Sequence, residues 1–159
     1  MKSLFEYKIE ILLKEVEILS SNIKHLDNIL FRVKNWGVTF FSGFVIFAFS
    51  SNVSYLLLFE CVVTVLFWST DAIYKSIQRK MIVRYNKIEH YFRTQFSKDY
   101  DNDLVSINLP DIGARVSVKD SDKKTSILKG AFYIHTSLIY IVMIIINTIL
   151  FFCFDHFIK

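Results

Sequence analysis

Residues 55–92 read YLLLFECVVTVLFWSTDAIYKSIQRKMIVRYNKIEHYF. As far as Trp68 the stretch is apolar, with Glu60 as its one charge. Lys75, Arg79, Lys80 and Arg84 follow, and no Gly or Pro occurs from Tyr55 until Pro110. Nothing here stops a helix once it has begun. In the basic half, Tyr74, Ile77, Met81, Tyr85, Ile88, Phe92 and Phe96 recur at three or four residues, which gives one apolar stripe. An apolar helix therefore runs without a break into a basic amphipathic one. That is the pattern of a membrane span continuing into the cytoplasm, with Trp68 at the interface.

On the N-terminal side lies an uncharged tip, SSNVS at 50–54, preceded by WGVTFFSGFVIFAF at 36–49. This run carries no charge but is short for a span, which needs about 20 residues and tolerates fewer where the bilayer thins. Gly37, Thr39, Ser42, Gly43 and Ala48 are small and permit close helix approach. Before it, residues 1–34 form a charged amphipathic helix, too polar for a cleaved leader. Ile9, Val16, Ile23 and Leu30 fall at heptad position a; Phe5, Leu12, Leu19, Leu26 and Val33 fall at d. Ile9, Leu12, Val16, Leu19, Ile23 and Leu26 are thus a candidate oligomer seam. Packing within one subunit is the other reading, and the two are compatible.

On the C-terminal side, 98–126 is a loop with the clusters SKDYDND and KDSDKK at its two ends, and short strands are conceivable at 104–107 and 114–118. Residues 127–154, centred on IVMIIINTILFF, read as a last span, with a short outer tail at 155–159. The expected fold is an all-α membrane protein with three transmembrane helices. A cytoplasmic N-terminal amphipathic helix (1–34) packs on a cytoplasmic extension (74–97) of the second span, and 35–73 is a transmembrane hairpin. Arg32, Lys34, Lys75, Arg79, Lys80, Lys123, Lys124 and Lys129 all lie away from the uncharged tip. The positive-inside rule then places the N-terminus in the cytoplasm of a bacterial inner membrane and the C-terminus outside.

Composition agrees: the 159 residues are 53% hydrophobic, with four Gly, one Pro and a net charge of +4. Long helices suit this better than a turn-rich sheet protein. The two cysteines form no CxxC pair, and the four histidines show no metal-ligand spacing, so no metal or other cofactor is expected. No phosphate loop, nucleophile elbow or dinucleotide-binding glycine pattern is present, and no small-molecule substrate is implied.

Three intramembrane polar residues are candidates for function: Glu60, Asn147 and His135. A carboxylate in hydrocarbon costs several kcal/mol unless it is paired, protonated or wet. Glu60 therefore marks a polar pathway, an inter-subunit contact, or a position near enough the outer interface to reach water. Asn147 is expected to hydrogen-bond across helices. In the basic helix, Arg84 to His90 reads R-x5-H. His as acid–base and Arg as charge stabiliser would suit RNA cleavage. The plainer reading is a solvated helix face with Glu89–Arg93 and Asp71–Lys75 pairs.

FWSTDAIYKSIQRKMIVRYNKIEHYFR at 67–93, with the leading helix, the multi-span layout and the R-x5-H stretch, resembles the small membrane accessory proteins of type VI-B CRISPR systems. The resemblance implies a homo-oligomeric inner-membrane pore that supports antiphage defence beside an RNA-guided, RNA-cleaving effector. It also implies a divergent HEPN-like element at Arg84 and His90. Two cytoplasmic helices fall short of a HEPN bundle. The expected function is a homo-oligomeric pore or membrane-perturbing effector, with itself, the bilayer and an RNA-guided effector or RNA as partners. The alternatives are a membrane-tethered HEPN-like ribonuclease and a non-catalytic anchor that recruits a partner.

Overall fold

A computed structural model describes residues 4–94, 96 and 134–158. Among the described residues there are three helices: α1 (Leu4–Ser51, 48 residues), α2 (Tyr55–Thr94, 40 residues) and α3 (Ile134–Ile158, 25 residues). No strand occurs among the described residues. The loop expected at 98–126, with its conceivable strands, lies outside the described residues.

Two expectations need correction. The amphipathic helix at 1–34 and the apolar run at 36–49 are not separate elements, because α1 passes through Asn35 and Gly37 without interruption. Backbone hydrogen bonding is indifferent to a change from charged to apolar side chains. Gly37 also causes no break: it lies under Tyr140 and Phe67, 3.6 and 3.7 Å from where its Cβ would stand. Second, two helices rather than three are long and apolar enough to cross a membrane: α2, and α3 over Ser137–Phe154. The apolar run of α1 is too diluted by Asn35, Thr39, Ser42, Ser50 and Ser51 to join them.

The helices form two compact units. The first joins α1 up to Leu26 with α2 from Ile77. Its core is Leu12, Leu19 and Ile88, with Val16, Met81, Tyr85 and Phe92 packed around them. The a/d stripe thus meets the stripe of α2 within one chain. Gln78 donates a hydrogen bond to the Ile23 carbonyl (3.4 Å).

The second unit joins α1 from Asp27, α2 up to Ser76, and α3. Phe40 stacks on Phe67 and Phe44 on Phe59, with ring centroids 5.6 and 5.5 Å apart, so here α1 and α2 run antiparallel. Phe49 meets Phe154 at 5.0 Å, and Gly37 meets Tyr140, so α3 runs parallel to α1. Ala48, Leu57 and Phe154 are buried together beside the turn.

That turn is a complete helix stop. Asn52 has φ 57°. Its N–H donates to the Phe49 carbonyl, and the Val53 N–H donates to the Ala48 carbonyl (3.0 Å). These are the two bonds of a Schellman motif, with Asn in the left-handed position usually held by Gly. Asn52→Gly should therefore preserve stability in detergent. Asn52→Val, which places a β-branched residue at positive φ, should cost about 1–2 kcal/mol in equilibrium unfolding.

Candidate functional site

Unit two is apolar outside and polar at its centre. Glu60 and Asn147 are each 1% exposed. α2 aims Glu60 inward because it shares a face with Leu57 and Thr64, both buried at helical spacing. α3 brings Asn147 to the same place on the face it shares with Tyr140, Met143 and Phe154. The Asn147 Nδ2 donates to the Leu57 carbonyl (2.7 Å) and to the Glu60 Oε2. Cys61 Sγ lies 3.1 Å from the same nitrogen. Thr64 donates its hydroxyl proton to the Glu60 Oε1. Both carboxylate oxygens are satisfied from inside the chain. Burial without such partners would cost several kcal/mol.

A second buried group stands further along α2. Asp71 is 0% exposed, and Lys34 Nζ approaches its Oδ2 to 3.8 Å. Lys34 thus joins Lys75, the partner expected from helical spacing, as a positive charge acting on Asp71. Tyr140 is also fully buried in this unit. Sequence reasoning passed over Asp71 and Tyr140 as site residues. The available signal was the shared face of Glu60, Thr64 and Asp71.

Glu60 and Asn147 face each other inside one chain, which is the hydrogen bond across helices expected of Asn147. His135 falls in the first turn of α3, and its side chain lies outside the described residues.

In unit one, the R-x5-H stretch is divided. Arg84 is buried and forms a two-pronged ion pair with Glu15, Nε to Oε1 at 2.9 Å and a terminal nitrogen to Oε2 at 3.0 Å. This fork geometry is the strong form of the pair. His90 is exposed on another face, its Nδ1 3.0 Å from Thr94 Oγ1. With Asn86, Glu89, Arg93 and Thr94 it edges a shallow groove of about 270 Å³. The structure does not bring Arg84 and His90 together. The expected Glu89–Arg93 pair is present at 2.7 Å. Of the proposed seam, Leu12, Leu19 and Leu26 are buried within the chain, and Ile9, Val16 and Ile23 are half-buried.

Comparison with family models, with curated proteins and with solved structures finds no match to this chain.

Arg84 is best explained as a structural charge. Arg84→Met should therefore destabilise unit one by about 3–5 kcal/mol, the cost of leaving a buried Glu15 unpaired, and the double variant Glu15→Leu/Arg84→Met should recover most of that loss. Chemical denaturation in detergent measures both, and His90→Ala serves as the near-neutral control.

Proposed function

We propose that the chain is a self-assembling membrane subunit. Its second unit lies in the bilayer with α1 as a third span, and copies meet along α1 to form a pore or otherwise perturb the membrane. One observation carries the reading. At about 100° per residue, Asn35, Thr39, Ser42, Gly43 and Ser50 fall within one arc of α1, opposite the buried Gly37 and Ala48. All five are exposed. The outward residues of α2 and α3 are mostly large and apolar, Leu58, Val62 and Leu66 on one and Ile141, Ile145 and Ile149 on the other, with Ser69, Thr70 and Thr148 as exposed hydroxyls.

Most of the polar dilution of α1 therefore lies in one outward stripe, with Ser51 outside it. Lipid gives such a stripe nothing, whereas a neighbouring helix or a wet lumen suits it. Thr39 and Ser42 donate to the carbonyls of Asn35 and Val38 (both 2.9 Å), so their hydroxyls are satisfied and tolerate close helix contact. Exposed Ile46 lies within the stripe and exposed Trp36, Val38, Phe40 and Phe47 flank it, which supports placing it at bilayer depth. Arg32, Lys34, Lys75 and Arg79 lie at the end remote from the turn. This supports a cytoplasmic N-terminus, an outward turn and an outward C-terminus. The resemblance at 67–93 extends the proposal to antiphage defence beside an RNA-guided effector.

Gly43 offers a clean test, because a Cβ added there meets nothing within 4 Å. Gly43→Leu leaves the subunit intact and blocks the stripe. Wild type should run as an oligomer in mild detergent and release calcein from vesicles. Gly43→Leu should run as a monomer and release none. A monomeric wild type, or oligomeric mass and leak unchanged in Gly43→Leu, overturns the reading.

A further inference from the structure

Glu60 and Asn147 stand at the turn-side end of a longer polar file within the same unit. On α2, Glu60, Thr64 and Asp71 are buried along one face, and about 16 Å of helix rise separates the two carboxylates. On α3, Asn147 and Tyr140 are buried about two turns apart. Lys34, 30% exposed, closes the far end and connects it to solvent. Both Asp71 oxygens, the Tyr140 hydroxyl and the Asn147 Oδ1 are buried and take no hydrogen bond among the described residues. Buried polar atoms are nearly always hydrogen-bonded. In a polar site of this kind the fitting partner is water, held by two or more such groups. Titratable side chains buried at membrane depth are costly, and they mark ion pathways and proton relays.

We propose that this file is a proton path through the single subunit, with Asp71 and Glu60 as its two proton-exchanging groups and Tyr140, Thr64 and bound water between them. The groups facing Asp71 are Lys34 from α1, Lys75 on its own helix and Tyr140 from α3. A proton entering beside Lys34 converts the Asp71 carboxylate to the acid. It then passes through the Tyr140 hydroxyl and water to the Glu60 carboxylate, and leaves toward the turn. Each group ends as it began, so one proton changes sides and no co-reactant is consumed. Ala48, Leu57 and Phe154 form an apolar plug between Glu60 and the turn, and this plug gates the path. The inference rests on the placement of unit two in the bilayer, and not on a lumen between copies.

The test uses the full chain in phosphatidylcholine–phosphatidylglycerol vesicles that hold a pH-reporting dye, with a potassium diffusion potential, negative inside. Wild type should acidify the interior faster than protein-free vesicles do, and Leu57→Ala should be faster still. Placed in the Gly43→Leu background, where no lumen between copies carries protons, Asp71→Asn and Tyr140→Phe should each abolish most of the flux, since each removes a member of the relay. Tyr140→Phe removes only a hydroxyl and decides the matter if Asp71→Asn fails to insert. Gly43→Leu should lose calcein release yet keep its proton flux. No flux in wild type or in Leu57→Ala overturns the path, and so does full flux when Asp71→Asn or Tyr140→Phe is added to Gly43→Leu. Flux that disappears with calcein release in Gly43→Leu overturns it too, and leaves the lumen between copies standing.

Discussion

A carboxylate sealed inside an apolar helical unit has few stable arrangements, and Glu60 sets those of unit two. Its side chain is 1% exposed, so hydration cannot compensate its burial. Thr64 supplies one donor from the same helix. The other must come from a neighbouring element, and only Asn147 on α3 provides it. The same Asn147 nitrogen also reaches the Leu57 carbonyl, so the amide is fixed against the α2 backbone as well as against the side chain. Apolar contacts alone would let α3 slide or rotate on α2, since one isoleucine face resembles another. The polar contact selects a single register. With that register fixed, Tyr140 falls over Gly37, and Phe154 falls against Phe49. Packing and polarity then agree on one arrangement, which is how a unit this apolar remains specific.

The two units solve burial differently. Unit one closes an apolar core beside a buried, two-pronged Glu15–Arg84 pair. Unit two turns its polar groups inward and its large apolar side chains outward. The inversion is least complete along the outer stripe of α1, where small and hydroxyl residues gather around Ile46. Membrane helix contacts favour such residues, because close approach and local hydrogen bonds replace a hydrophobic drive that lipid does not supply. The stripe and the internal file involve different residues, so the proposed assembly and the proposed proton path can be tested separately.

Much of this was legible in the sequence, and the failures have physical causes. The length of α2 followed from the absence of Gly and Pro after Tyr55. The inward faces of α1 and α2 followed from helical periodicity. The continuity of α1 through Asn35 was less legible, because a change of side-chain polarity leaves no mark on backbone hydrogen bonding. Long-range pairs were the least legible part. Glu60 and Asn147 each stood out as polar residues in apolar runs, yet nothing local linked positions 87 residues apart. Arg84 was read with His90, six residues on, whereas its true partner is Glu15, 69 residues back. Glu15 does hold heptad position g, beside the seam, where partner charges are commonly met. Asp71 was paired with Lys75 by the local rule, and the fold adds Lys34 from α1.

The central claim is that Glu60 and Asn147 act together to fix α3 on α2. A double-mutant cycle tests it most directly, with Glu60→Gln, Asn147→Leu and their combination unfolded reversibly in bicelles. If the two side chains meet as described, the double variant should differ from the sum of the single losses by about 1 kcal/mol or more. Additivity within about 0.3 kcal/mol would show that the two residues do not touch, and would contradict the account.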